Sequence, residues 1–169
     1  AAGQYKDAKR TASQARDVAK WSRMLHWELR AALIAARAAW MGGGASESMA
    51  ELHDLARRAE EREYRALAAR IRDLTGEIHA KAGDWEDAAA EFVRAADLMK
   101  EILSSLSEED RRSLVHHPDW KNTIGNLLDT LIRIGRRDDA LAYLVALGVG
   151  SCDVESGRQR AMAALESGG

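Results

Sequence analysis

The side chains of this 169-residue chain that could hold a metal or move a proton are five histidines, one cysteine and 27 acidic residues. Their spacing argues against both uses. His116, His117 and Asp119 form the densest run of metal-ligand types. Adjacent histidines point apart on a helix, however, and Pro118 interrupts the segment, so turn residues are the better reading. His26 and His53 have no acid or nucleophile at motif spacing. Cys152 is the only cysteine, which rules out an internal disulfide or a thiolate cluster within one chain, and the neighbouring Asp153 and Glu155 disfavour a thiolate. No GxxxxGK[ST], GxGxxG or HExxH string occurs. The expectation is a chain without catalytic residues, metal or cofactor.

Composition describes what would carry a function of another kind. Hydrophobic residues make up 46% of the chain and charged residues 31%, enough for one globular domain with a solvated surface. Alanine, leucine, arginine and glutamate dominate and Pro118 is the only proline, so local propensity favours helix nearly throughout and no sheet is expected. A net charge of −2 gives no whole-chain attraction to nucleic acid or an anionic membrane, and neither partner is expected. The longest apolar tract, 31–41, is interrupted by Arg37 and falls short of the roughly 20 residues a membrane span needs. With no signal-peptide pattern and no cysteine pair, a cytoplasmic setting is expected. The start at Ala1 reads as that of a fragment cut from a larger protein.

Start and stop signals divide the chain into helices over 4–20, 23–41, 47–60, 62–82, 85–104, 108–115, 119–134 and 137–147, with a ninth piece near 154–166. The run Gly42, Gly43, Gly44 breaks the second helix. Ser48 with Glu51 offers a capping box for the third, and Ser107 with Asp110 a similar start for the sixth.

Internal repetition organises these helices. GDWEDA at 83–88 is followed by Phe92 and Ala95, which share a helical face with Ala88. Gly83, Trp85, Ala88, Phe92 and Ala95, with Gly76 before them, resemble the tetratricopeptide repeat. In that family a glycine ends helix A, an aromatic follows, and small residues let helix B pack close. GQYKDA at 3–8 reads as the same turn. A step of 40 from Gly3 reaches Gly43, whose degenerate copy carries Ser48, Leu52 and Leu55, and a second reaches Gly83. GRRDDA at 135–140 is a fourth copy at a step of 52, which implies an insertion over 104–118. Steps of 40 are similar to those of longer-repeat members in bacterial regulatory and signalling proteins. The resemblance implies an all-α fold of about eight helices, antiparallel pairs stacked as a right-handed superhelix over 1–150, with 151–169 a capping helix or frayed tail.

In that family the free face of each helix A lines a concave groove. The matching positions are Arg70, Asp73, Glu77 and Lys81 in the clearest repeat, Asn122, Gly125, Asp129 and Arg133 in the last, and Arg30, Leu33, Arg37 and Trp40 in the degenerate one. Some members grip a C-terminal carboxylate with a fixed lysine and asparagine pattern, of which Asn122 and Asn126 match only a part. Five groove cations against three acids give a surface more positive than the whole chain, suited to an acidic segment. Trp85 reads as core by its repeat position and Trp40 as a groove anchor. The function implied is a peptide-binding or scaffolding module of a larger regulatory protein. Two alternatives stand beside it: a small-molecule sensor domain, and a self-association module that forms a homodimer.

Overall fold

The computed structural model describes residues 2–147. Among them are eight helices and no strand: α1 (Ala2–Trp21), α2 (Leu25–Met41), α3 (Ala45–Glu61), α4 (Arg65–Ala82), α5 (Trp85–Ser104), α6 (Glu108–Val115), α7 (Pro118–Arg133) and α8 (Arg137–Ala146). None of them is long and apolar enough to cross a membrane. Cys152 and the expected piece near 154–166 lie outside the described residues.

One backbone device closes five of the turns. The amide of Met24 donates to the carbonyl of Ala19, Gly44 to Ala39, Tyr64 to Ala59, Asp84 to His79 and Arg136 to Leu131, each five residues back, at 2.8–3.0 Å. The residue before each donor is left-handed: Arg23 (φ 57°), Gly43 (98°), Glu63 (56°), Gly83 (90°) and Gly135 (79°). Such a closure satisfies helix carbonyls that otherwise lack partners. The first four left-handed residues fall 20 apart, and 52 residues separate the last two. Glycine marks three of these turns; Arg23 and Glu63 adopt the same conformation without it, which is why the sequence signal shows only every second turn. Their left-handed residues also explain why α2 and α4 begin at Leu25 and Arg65 rather than at 23 and 62. Gly3 lies in the first turn of α1 instead of between two helices. A closure of this kind needs carbonyls of a preceding helix, and none precedes Gly3 among the described residues.

Ser48 caps nothing. Helix α3 begins three residues earlier, and the Ser48 amide already bonds to the Gly44 carbonyl. Its buried hydroxyl lies 3.1 Å from the Ala36 carbonyl of α2 and 2.8 Å from that of Gly44, so it serves the crossing of two helices. Ser107 does cap α6, accepting from the Asp110 amide at 3.2 Å. Pro118 opens α7 at a position where its missing N–H would have no partner.

Packing follows chain order: each helix from α1 to α5 lies against the next, α5 then meets α7, and α7 meets α8. Helices α2 and α4 also touch, as do α4 and α7. Two apolar cores result, with α4 between them. Leu67, Ile71, Leu74 and Ile78 of α4 join α2 and α3 on one side, while Ala69 joins α5, α7 and α8 on the other. The small residues on that second side admit a close neighbour. A Cβ on Gly76 would stand 2.6 Å from the Phe92 ring, and Ala88, at the crossing of α4 and α5, is fully buried. Helix α6 buries no residue completely; its Leu114 and Val115 rest only partly against the second core.

Candidate functional site

The contacts of α4 with α2 and with α7 bring the free faces of these three helices together around one cleft of about 340 Å³. Trp40 of α2 lines it, with Glu77, Ala80 and Lys81 of α4, Trp85 and Phe92 of α5, and Asn126, Asp129, Thr130 and Arg133 of α7. Six of the eleven sequence-derived groove residues therefore meet: Trp40, Glu77, Lys81, Asn126, Asp129 and Arg133. Chain order alone would leave them 93 positions apart at the extremes, from 40 to 133.

Two aromatic and cationic pairs flank the cleft. The Arg133 guanidinium lies 4.3 Å from the centre of the Trp85 ring, and the Lys81 ammonium 5.3 Å from that of Trp40. A cation over an exposed ring gains about 0.5–1 kcal/mol, enough to favour a position without neutralising the charge. Glu77 pairs with Arg37 of α2 at 3.7 Å, whereas Asp129 makes no ion pair among the described residues. Ala80 and the buried Phe92 supply an apolar part of the lining, beside Thr130.

The other five groove candidates lie outside this lining. Arg37 stands at the rim, held to Glu77. Arg70 is in an ion pair with Asp119 at the start of α7, and Arg30 covers Trp27 at 5.1 Å. Asn122 is exposed on α7. Asp73 accepts a hydrogen bond from Asn126 at 3.3 Å, across the seam between α4 and α7. Burial pushes its carboxyl up to about 6 and the charge of Glu77 adds to the rise, against the pull of Asn126, Thr123 and Arg37. Of the two residues set beside these, Leu33 packs against the first core, and Gly125 faces open space.

The structure adds residues that the sequence reading placed elsewhere. Trp85 is half-buried under Arg133 rather than core, since its position on the first turn of α5 leaves one ring face toward α7. The signal available in the sequence was the Arg133 register, seven residues beyond Asn126 on the same face of α7. Among the histidines, His79 is half-buried, 3.8 Å from Asp84, and His117 caps α7 by accepting from the Asp119 amide at 3.3 Å. No cluster of three or more metal-ligand side chains occurs among the described residues.

A larger depression, about 640 Å³, lies at the far end of α4 between the α3–α4 turn and the end of α5. Its main charges already meet there, Arg65 donating to Glu101 at 2.9 Å. The smaller cleft combines aromatic walls with cations not held by an acid, so it is the better candidate for a ligand. Comparison of the chain with protein-family models, with curated proteins and with solved structures found no match.

Proposed function

We propose that the chain is a protein-interaction module of tetratricopeptide-like build, its helix pairs stacked as a right-handed superhelix, which binds an extended partner segment along α2, α4 and α7. The observation that carries this reading is the cleft itself. Two half-buried tryptophans, each with a cation over its ring, stand beside the apolar part of the lining. Rigid aromatic side chains beside fixed charges suit the anchor residues of a bound segment, which lose little freedom on contact. The lining is balanced in formal charge, with Lys81 and Arg133 against Glu77 and Asp129, and the Arg37 side chain beside Glu77 tips it toward positive. The segment that fits sets a bulky apolar residue against that part of the lining and a carboxylate between the two cations.

Selection of random 12-residue peptides on immobilised protein tests this. The wild type should enrich peptides in which a carboxylate lies next to a large apolar residue. The double variant Lys81→Glu with Arg133→Glu should lose that set, because both cations become acids while the fold keeps its core. An identical enriched set on the two proteins would place the site elsewhere.

A further inference from the structure

Among the described residues, large apolar side chains that stay in water are confined to α1, α2, the turn between them, and α8. Eight are found among the described residues; six lie between Val18 and Met41, two on α8, and none between residues 42 and 140. Three of the six form a ridge on α2. Trp27 (53% exposed), Ile34 (57%) and Met41 (45%) are seven residues apart, which on a helix shifts direction by only about 20° per step. The ridge runs about 21 Å at 1.5 Å per residue. Arg30 and Arg37 flank the ridge on one side, about 40–60° around the helix from Ile34, and both are exposed. Val18 and Trp21 leave further apolar surface uncovered at the end of α1.

Charge selects the occupant. The first 41 residues hold eight lysines and arginines against three acids, a net +5, so the remaining 128 carry −7 of the chain's −2. A second copy laid face to face, with its own α2 ridge on this one, would bring like charge against like charge. An anionic membrane would meet an apolar strip only one side chain wide, because Ala31 and Ala38 on one side of it are buried and Arg30 and Arg37 flank the other. A helix of another protein meets neither obstacle. We infer that the exposed α2 ridge docks an acidic amphipathic helix of a partner, whose apolar residues seven apart meet Trp27, Ile34 and Met41 while its carboxylates face Arg30 and Arg37. This surface meets the cleft only at Arg37, which also reaches Glu77, and its apolar ridge and Arg30 lie outside the cleft lining, so the inference does not depend on that reading.

The probe is a three-heptad helical peptide with leucine at the first and glutamate at the fourth position of each heptad, alanine and glutamine elsewhere, and a twin with lysine for glutamate. Fluorescence anisotropy with the full chain should show the acidic peptide binding at least tenfold tighter than the basic one in 50 mM salt, the gap narrowing at 300 mM. Ile34→Asp should weaken the acidic peptide at least tenfold, and Arg30→Glu should narrow or reverse the preference. Both positions are exposed, so circular dichroism should be unchanged. The cleft variant Lys81→Glu with Arg133→Glu should bind the acidic peptide as the wild type does, which separates this site from the cleft. Absence of acidic-peptide binding up to 1 mM, equal binding of the twins, or indifference to Ile34→Asp overturns the proposal. So does an Ile34-dependent dimer in sedimentation, or Ile34-dependent binding to phosphatidylserine vesicles without binding to the peptide.

Discussion

Helices α1 and α5 are each 20 residues long and each follows chain order into a neighbouring helix, yet they are held very differently. Helix α5 buries seven residues, among them Phe92 and Met99, because α4 covers one side and α7 another. Helix α1 buries only Ala12 and Ala19 among its described side chains, and its Val18 and Trp21 stand in water. Equal length and similar helix propensity therefore do not give equal stability. Where each element is covered only by its neighbours, the number of covering neighbours sets how firmly it is held. The end helices should open locally at a lower free energy than the centre.

The largest test of that contrast is Phe92→Ala. It should cost about 3–5 kcal/mol in denaturant unfolding, since the ring is 1% exposed at the joint of α4, α5 and the cleft. Gly76→Ala should cost about 1–3 kcal/mol by forcing the same ring aside. In combination with Phe92→Leu the glycine substitution should cost less than it does alone. Strict additivity would show that the two do not share the space the structure gives them. A still larger truncation in α1, Trp21→Ala, should change stability by under about 0.5 kcal/mol at its exposed site. A loss comparable to that of Phe92→Ala would end the contrast.

Asp73 gives a smaller effect, confined to the centre. Its carboxyl has an ordinary value of 3.8 and is raised to about 6 in the fold, so the folded chain holds that proton more tightly than the unfolded one. The corresponding stability is present below about pH 4 and is lost as pH rises through 6. The full shift is worth at most about 3 kcal/mol. Asp73→Asn should flatten the stability curve between pH 4 and 7 and raise the melting temperature at pH 7.5. A curve of unchanged slope would mean that this carboxyl does not titrate in that window.

Much of this architecture was legible in the sequence, and its gaps have physical causes. Glycine at a left-handed turn is visible as a letter, so Gly43, Gly83 and Gly135 marked three turns, but Arg23 and Glu63 reach the same φ by backbone closure and leave no such mark. Core positions follow helical spacing: Leu67, Ile71, Leu74 and Ile78, three or four residues apart, are all buried. The cleft was harder. Its lining was read from one face of each helix, which gives direction but not depth. Arg30 and Arg37 share a face with Trp40 by spacing alone, yet only the tryptophan reaches the space between α2, α4 and α7. Trp85 was missed because its sequence position fits core and cleft alike.

Two turn substitutions sharpen the comparison at the smallest scale. Glu63→Gly relieves a left-handed side-chain residue and should stabilise by about 0.5–1 kcal/mol, while Gly83→Ala should destabilise by a similar amount. Hydrogen exchange should show Arg23→Gly acting on α1 and α2 without altering α5. Protection rising equally in all helices would mean that the chain opens only as a whole.

The even spacing of the four left-handed turns has a mechanical side. A chain drawn out from its amino end would surrender one helix at a time, each releasing the same 20 residues, about 70 Å of extended backbone. Helix α1, packed mainly against α2, stands first in that line and would act as a fuse, letting go while the cleft is still whole. The stretch of 52 residues after Gly83 breaks the cadence, so the last release would be long where the earlier ones were short.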